Sequence, residues 1–356
     1  MSFPLATIDS AALRNNLGVV RRLAPRSRVL AVIKANAYGH GIVPAARTLA
    51  DADAFAVARL DEALSLRNAG VSHPVVLLEG VLSADQLAAA ARHQLDLVVH
   101  CAEQIAILEQ HPGADRFALW LKLDTGMNRL GFRLEEFAPA LERLQRCRAA
   151  KSLRLMTHFA SAEEQGGGTA QRQLARFHSL AGPCALERSI ANSAGIVCLP
   201  EAHVEWVRPG IMLYGISPIP GQSSSALGLR PVMTLTAQLI AIRTVRAGES
   251  VGYGALWKAM RDSRVGIVAM GYGDGYPRGM RAGAPVLVAG REAHIVGRVS
   301  MDMSAIDLTD VPTSKLGDEV TLWGNGLPAE RVAPFADTIG YELVCRIKER
   351  VTVKWV

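Results

Sequence analysis

The stretch Val29-Leu30-Ala31-Val32-Ile33 is an unbroken apolar run, and Lys34 follows it directly. Such a run is typical of a strand that is buried on both faces of a parallel sheet. Similar runs recur along the chain, and most are separated by about ten or more residues with apolar positions at helical spacing. The predicted strands are residues 29–33, 54–58, 75–78, 95–99, 117–123, 153–158, 188–191 and 204–207. Eight strands alternating with helices predict an α/β fold, a closed (β/α)₈ barrel of the TIM type.

The ends of the predicted helices support this alternation. Asp61 and Glu62 begin the helical pattern of residues 60–69, and Gly70 ends it, as the preferences of helix termini require. An open doubly wound sheet is the competing arrangement. Six strands usually complete such a sheet, and no Gly-x-Gly-x-x-Gly motif follows the first predicted strand. The barrel is therefore the fold that the sequence favours.

The pattern changes after the barrel region. Residues 216–230 are rich in Pro, Gly and Ser and carry no helical period, which indicates a connection between domains. Short strand-like runs then follow at residues 235–245, 265–270, 286–288, 294–299, 305–308 and 319–323. We expect a barrel domain over residues 1–225, with the option that its first few residues pack against the other domain. A mostly-β domain is expected over residues 226–356.

Composition excludes several classes of protein. The chain has 356 residues, of which 49% are hydrophobic and 20% charged, and this balance is that of a globular protein. The net charge of +6 comes without a Lys/Arg-rich run, so no nucleic-acid partner is expected. Five cysteines without a Cys-x-x-Cys pair indicate neither disulfides nor a metal site. No apolar stretch is long enough for a membrane span and no secretion signal is recognisable, so we expect a cytoplasmic protein.

The chemistry is expected where the barrel strands end, because reactive groups of this fold lie at that face. Lys34 follows the first strand, and a lysine there can form a Schiff base with a carbonyl. The turns Asn192-Ser193-Ala194-Gly195 and Arg208-Pro209-Gly210-Ile211 follow the last two strands and leave amides free for a phosphate. Taken singly, these features also suit a solvated loop lysine, a helix cap and a plain turn. Together they indicate pyridoxal 5'-phosphate, which carries an aldehyde and a phosphate on one ring.

The chain resembles the alanine racemases, a family of fold-type III pyridoxal phosphate enzymes. The matching stretches are Ala31-Val-Ile-Lys-Ala-Asn-Ala-Tyr-Gly-His-Gly41, Trp120-Leu-Lys-Leu-Asp-Thr-Gly-Met-Asn-Arg-Leu-Gly131, Thr157-His-Phe-Ala160, Asn192-Ser193, Trp206-Val-Arg-Pro-Gly-Ile-Met-Leu-Tyr-Gly215, Val251-Gly-Tyr-Gly254, Gly271-Tyr-Gly-Asp-Gly-Tyr-Pro-Arg278 and Gly297-Arg-Val-Ser-Met-Asp302. They run through both expected domains in order. The resemblance implies a barrel, a β-domain, a homodimer with shared active sites, and interconversion of L- and D-alanine that supplies D-alanine for peptidoglycan.

The resemblance also implies two catalytic residues. Lys34 would hold the cofactor on one face, and Tyr253 would reach the other face from the β-domain of the partner subunit. Inversion at Cα needs a proton removed on one side and delivered on the other, so one base on each face is the minimal apparatus. Without the resemblance, Tyr253 would be interpreted as an aromatic residue packed between strands.

Further residues take their expected roles from the resemblance. Arg208 would face the pyridine nitrogen, and because arginine only donates, that nitrogen would stay unprotonated. Arg129 and the backbone of the partner's Met301 would contact the substrate carboxylate, with Asp302 near the substrate entrance. The expected phosphate contacts are Tyr38, Ser193, Gly210, Ile211 and Tyr341, and His158 would lie against the cofactor ring.

Two features are left open by the resemblance. Lys122 is either carbamylated, which would make it an anion able to orient Arg129, or a cation with another carboxylate partner. The usual Arg-Val-Pro-Arg ending of the family is replaced by Arg350-Val-Thr-Val353, so contacts of the C-terminal tail are not carried over.

Other activities compete with the favoured one. A racemase of broader amino-acid range is the nearest alternative, because one methyl group changes apolar discrimination by only about 1–3 kcal/mol. A decarboxylase on the same fold and a pyridoxal phosphate carrier without catalysis are the others. Neither of these needs a second base, so Tyr253 favours a racemase.

Overall fold

The computed structural model describes residues 3–164 and 168–356. The predicted Gly-rich loop after the sixth barrel strand falls largely on Gly166 and Gly167, which lie outside the described residues. None of the described helices is long and apolar enough to cross a bilayer.

The chain begins with a strand that belongs to the second domain. β1 (Leu5–Ile8) pairs with a C-terminal strand, and α1 (Ser10–Leu23) then leads into the barrel. Asp9 caps α1 by accepting a hydrogen bond of 2.8 Å from the Ala12 amide. The buried face of α1 includes Leu13, Leu17 and Val20, which recur at helical spacing.

Eight strands within the described residues close into a parallel barrel, which confirms the predicted fold class. They are β2 (Arg28–Val32), β3 (Ala54–Val57), β4 (Val75–Leu77), β5 (Asp96–Val99), β6 (Phe117–Lys122), β7 (Ala150–Met156), β8 (Glu187–Ser189) and β9 (Trp206–Val207). β2 pairs with both β3 and β9, so the sheet has no edge. The apolar side chains of β3 and β4 are buried throughout, as their unbroken apolar runs predict.

Helices connect the barrel strands and surround them. They are α2 (Lys34–Tyr38), α3 (Ile42–Thr48), α4 (Leu60–Asn68), α5 (Ala84–Arg92), α6 (Ala102–Glu109), α7 (Phe137–Arg146), α8 (Thr169–Ala181) and α9 (Ser193–Cys198). Short 3₁₀ turns precede α7 at Leu134–Glu136 and follow β9 at Ile211–Tyr214. The loops at the carboxyl ends of the strands all open at one end of the barrel, where the candidate site lies.

The C-terminal part is an antiparallel β-structure with short helices. Its strands are β10 (Met233–Val245), β11 (Ser250–Val251), β12 (Trp257–Lys258), β13 (Ser263–Val268), β14 (Pro285–Val288), β15 (Arg291–Val296), β16 (Ser304–Asp307), β17 (Glu319–Trp323) and β18 (Thr352–Trp355), with α10 (Ala329–Val332) and α11 (Gly340–Cys345) before β18. β10 pairs with β17 along its first half and with β13 along its second half. A register shift between Leu239 and Ala241 marks the bend that permits both pairings.

The N-terminal strand β1 links the barrel to the C-terminal part. β1 pairs antiparallel with β10 and parallel with β18, so the first strand of the chain lies within the C-terminal sheet. The segment that connects the two parts, residues 216–230, is not a flexible linker. Its side chains Ile216, Ile219 and Leu229 are buried. The barrel mouth and α11 are thereby held against each other.

Candidate active site

A cavity of about 720 Å³ lies at the mouth of the barrel. Its walls come from segments that follow several strands, as is usual for this fold. The expected site residues among its lining are Lys34, Tyr38, Lys122, Arg129, His158, Ser193, Arg208, Gly210, Ile211 and Tyr341. Ten expected site residues from several distant segments of the sequence thus meet in one place.

Lys34 begins a turn with an unusual backbone. Ala35, Asn36, Ala37 and Tyr38 all have φ of 52–53°, the left-handed region that costs a residue with a side chain about 1–2 kcal/mol. Surrounding contacts hold the turn in this conformation. Its positive backbone angles make it a left-handed turn and not an ordinary right-handed helix.

Two side chains stabilise this left-handed turn. Glu62 accepts hydrogen bonds from the amides of Ala35 at 2.5 Å and Ala58 at 2.8 Å, and so ties the loops after β2 and β3 together. His40 is fully buried, and its Nδ1 contacts the carbonyl oxygens of Ala37 at 3.0 Å and Tyr38 at 2.9 Å. Because both partners are acceptors, Nδ1 carries the proton. Lys34 is thus anchored through its neighbours.

The surroundings of Lys34 make its ammonium group easier to deprotonate than that of an exposed lysine. Burial lowers the pKa of Lys34, and the nearby Arg129 guanidinium lowers it further, while Glu62 and Glu79 act in the opposite direction. A lysine with a lowered pKa is the better nucleophile toward an aldehyde.

Arg208 is buried at the base of the cavity without a carboxylate partner in the described part of the chain. Its guanidinium donates to Ser189 Oγ at 2.7 Å, to Ile190 O at 3.2 Å and to Thr157 O. Burial lowers its pKa to about 10, so it remains a cation at neutral pH. Burying a cation without an anionic partner lowers the stability of the fold, and such a group is typical of a functional site.

His158 is held beside Arg208 as a neutral ring. Its Nδ1 lies 3.4 Å from Arg208 Nη2, and since arginine only donates, Nδ1 must be an acceptor. Burial, followed by the Arg208 charge, lowers the pKa of His158 well below its usual range. The ring is therefore uncharged and offers a flat surface at the cavity.

Small residues and hydroxyl groups form another part of the cavity wall. We call this part, made of Tyr38, Ser193, Gly210 and Tyr341, the cradle. Ser193 begins α9, and its Oγ accepts hydrogen bonds from the amides of Gly210 at 2.9 Å and Met212 at 3.4 Å. A Cβ at Gly210 would lie 2.6 Å from Tyr38 Oη, so only glycine permits this approach. The Tyr38 ring stacks on Tyr214 at 4.7 Å between centroids.

Tyr341 completes the cradle from the second domain. It lies on α11, and its ring centroid is 6.2 Å from that of Tyr38. Burial raises the pKa of Tyr341 to about 12, so its hydroxyl remains a donor. Hydroxyl groups at a wall that Gly210 keeps narrow suit a phosphate group. The Gly210 amide was expected to be free for that phosphate, but it donates to Ser193 Oγ instead.

Lys122 and Arg129 lie on the wall formed by β6 and its loop. Asp124 shapes that loop by accepting from the amides of Gly126 at 2.8 Å and Met127 at 2.9 Å. Burial, followed by the charges of Arg208 and Arg129, lowers the pKa of Lys122 to about 8. This part of the cavity is therefore rich in cationic groups and suits a carboxylate ligand.

Tyr253, Met301 and Asp302 are not brought into this cavity by their own chain. Tyr253 lies in a 3₁₀ turn at Tyr253–Ala255, and 70% of its surface is exposed. Leu256 and Met260 nearby are also exposed apolar residues, at 63% and 90%. Within the described residues, a site that uses Tyr253 requires a second chain.

Some residues of the site were not predicted from the sequence. Glu62 was noted only as part of a helix start, and its bond to the Ala35 amide depends on the barrel closing. Glu79 and Cys345 also line the cavity, and no motif marks them. Only the fold brings these side chains to the mouth.

The mouth of this barrel holds an amine, a buried arginine and hydroxyl groups. This arrangement is typical of enzymes that bind an aldehyde carrying an anionic group. Comparison with known proteins identifies the family. The model "Alanine racemase, N-terminal domain" matches residues 8–218, and "Alanine racemase, C-terminal domain" matches residues 232–355. The chain belongs to the alanine racemase family.

Relatives match over the full length. The chain is 51% identical over 357 residues to the alanine racemase of Aeromonas hydrophila and 49% identical over 358 residues to the biosynthetic alanine racemase of Escherichia coli, with 100% of each chain covered. The crystal structure of the biosynthetic alanine racemase from Pseudomonas aeruginosa superimposes with a TM-score of 0.97 at 46% identity, covering 99% of both chains.

Proposed function

We propose that this protein interconverts L- and D-alanine with pyridoxal 5'-phosphate held in the cavity at the barrel mouth, and thereby supplies D-alanine for peptidoglycan. One observation carries the proposal: Lys34, the unpaired Arg208 and the cradle at Gly210 line a single cavity. The full-length relatives named as alanine racemases support the choice of reaction.

The residues present fit this cofactor. Lys34 would bind the aldehyde, and Tyr38, Ser193, Gly210, Ile211 and Tyr341 would surround the phosphate. Arg208 would donate to the pyridine nitrogen and His158 would lie against the ring. When bound, pyridoxal phosphate makes the Cα proton of an amino acid acidic by withdrawing electrons from that carbon.

Arg208 would favour racemisation over transamination. Its pKa of about 10 keeps it protonated, so it offers only donors to the ring nitrogen. Arg208 would therefore leave that nitrogen unprotonated and limit how strongly the cofactor withdraws electrons. This role would favour return of the proton to Cα over transamination.

Two bases from two subunits would move the proton. Lys34 would serve one face of Cα and the partner's Tyr253 the other, and this division explains why Tyr253 is exposed in the single chain. Arg129 and the amide of the partner's Met301 would hold the substrate carboxylate. A homodimer with shared sites follows from these assignments.

The proposal is tested by incubating the protein with each pure enantiomer of alanine, with and without added pyridoxal phosphate. We expect both enantiomers to approach the same racemic mixture and the added cofactor to restore activity lost on dialysis. Release of carbon dioxide without racemisation would indicate a decarboxylase, and faster conversion of serine or lysine would indicate a broader racemase.

We propose that Lys122 carries a carbamate. A pKa of about 8 leaves a large neutral fraction, and a neutral amine adds to carbon dioxide with loss of one proton. The product is an anion among Arg208, Arg129 and Lys34, so its charge is stabilised where a lysine cation is repelled.

In ¹³C-bicarbonate, the wild-type protein should therefore show a carbamate carbon resonance that strengthens as the pH rises toward 8. Lys122→Arg should lack this resonance, whereas Lys151→Arg, a change of an exposed lysine at the start of β7, should keep it. Equal spectra for Lys122→Arg and wild type would contradict the assignment and leave Lys122 as a cation.

A further inference from the structure

Hydrogen bonds shape the turn formed by residues 300–303, in which Met301 is more than half exposed. Ser300 closes the turn by donating to Met303 O, from its amide at 2.9 Å and from Oγ at 2.8 Å. The amides of Tyr272 and Gly273 donate to the carbonyl oxygens of Ser300 at 3.0 Å and Met301 at 2.8 Å. In the part of the chain that the structure describes, the Met301 amide has no acceptor. Together with the exposure of Met301, this leaves the N–H uncommitted within the turn.

Arg350 connects this turn to the domain beneath it. Its Nη2 donates to Asp302 Oδ1 at 2.8 Å, and its Nε lies 3.1 Å from Asp274 Oδ1. Asp274 is buried, and its Oδ2 accepts from the Gly271 amide at 2.9 Å. One guanidinium thus joins the 300–303 turn, the 271–274 loop and the segment that precedes β18.

Two glycines permit the close approach of these segments. A Cβ at Gly271 would lie 2.3 Å from Met301 O, and a Cβ at Gly273 would lie 2.5 Å from Arg350 Nη1. Since backbone and guanidinium occupy these positions, side chains there would displace the turn. The contacts define one position for residues 300–303.

We propose that Arg350 is a positioning residue for racemisation. It fixes the 300–303 turn so that the Met301 amide meets the substrate carboxylate in the partner's cavity, and it neutralises Asp302 beside that amide. Without Arg350, the Asp302 carboxylate repels the carboxylate of alanine, and the turn loses its anchor. This inference rests on the proposed function and adds to it a residue from the C-terminal tail.

Arg350→Met is expected to raise KM for alanine by about 10- to 100-fold, the effect of losing a charged hydrogen bond, with a smaller change in kcat. The inhibition constant of propionate, which has the carboxylate of alanine but no amine, should rise by a similar factor. Arg350→Lys should give intermediate values, and adding Asp302→Asn to Arg350→Met should recover part of the loss. The absorbance of the bound cofactor and the mass of the assembly should stay at wild-type values.

Arg331→Met is the matched control, because it removes a half-exposed guanidinium that pairs with Glu292 at 2.8 Å in the same domain. If Arg350→Met matches this control in KM and propionate inhibition, or if it acts only by dissociating the assembly, the proposal is overturned. Should Arg350→Met fail to fold, the KM for alanine and the inhibition constant of propionate are measured on Arg350→Lys, and values equal to those of the control would overturn the proposal. Absence of racemisation in the wild type would instead refute the proposed function itself.

Discussion

Replacing Tyr253 with phenylalanine is expected to lower racemisation from either enantiomer by about 10²- to 10⁴-fold, the usual contribution of a positioned acid or base. In the proposed two-base mechanism each direction of the reaction needs both bases, so losing one should slow both directions equally. The phenyl ring keeps the shape of the side chain, and the cofactor should remain bound through Lys34.

Exchange of the Cα proton in D₂O makes this prediction more specific. Lys34 remains in the Tyr253→Phe variant, so the enantiomer whose Cα proton faces Lys34 should still exchange, with retention of configuration. The other enantiomer should exchange at a rate lower by about the same 10²- to 10⁴-fold factor. Proton NMR of each enantiomer measures both rates.

Tyr276→Phe provides the matched control. The Tyr276 hydroxyl is buried in the same domain and has no hydrogen-bond partner among the described residues, so its removal should leave racemisation unchanged. Undiminished turnover of both enantiomers by Tyr253→Phe would refute its assignment as a base.

Lys34→Ala is expected to have the largest effect of any single change. In the proposed mechanism Lys34 both attaches the cofactor and serves as one of the two bases, so racemisation should fall by more than the ~10⁴-fold that one positioned base contributes. Borohydride reduction followed by mass spectrometry should find the cofactor on Lys34 in the wild type and no adduct in the variant.

The control for this change is Lys315→Ala, which removes an exposed lysine between β16 and β17. It should retain the adduct on Lys34 and full activity. An adduct that persists in Lys34→Ala, on Lys122 for example, would place the attachment elsewhere and contradict the proposed site.

The barrel could be predicted from the sequence because several of its strands are apolar runs, whereas β7 and β8 include charged residues. A parallel strand that is buried on both faces is typically an unbroken apolar run. The runs of β3 and β4 were enough to predict both strands, and all their residues are buried. β1 and β18 were not predicted, since Thr7 interrupts the apolar residues of β1, and Thr352 and Lys354 interrupt those of β18. Their pairing joins Leu5 to Thr352, which are far apart in the sequence. Short strands of this kind are defined by distant partners.

In the candidate site, too, some features could be predicted from the local sequence and others depend on distant residues. Lys34, Ser193 and Arg208 could be located because they follow predicted strands, and strand ends of a barrel share one face. The left-handed turn after Lys34 could not be predicted, because Ala35 and Ala37 disfavour it, and Glu62 and His40 stabilise it only once the barrel has closed. The link from Arg350 to Asp302 likewise depends on the folded β-domain.

The central claim is that each active site combines Lys34 of one subunit with Tyr253 of its partner. Mixing Lys34→Ala and Tyr253→Phe chains, each with its own affinity tag, tests this claim most directly. Random assembly makes about half of the dimers mixed, and one of the two sites in each contains both groups, so about a quarter of wild-type activity should return. If mixed dimers are recovered through both tags and remain as inactive as the separate variants, the shared site is contradicted.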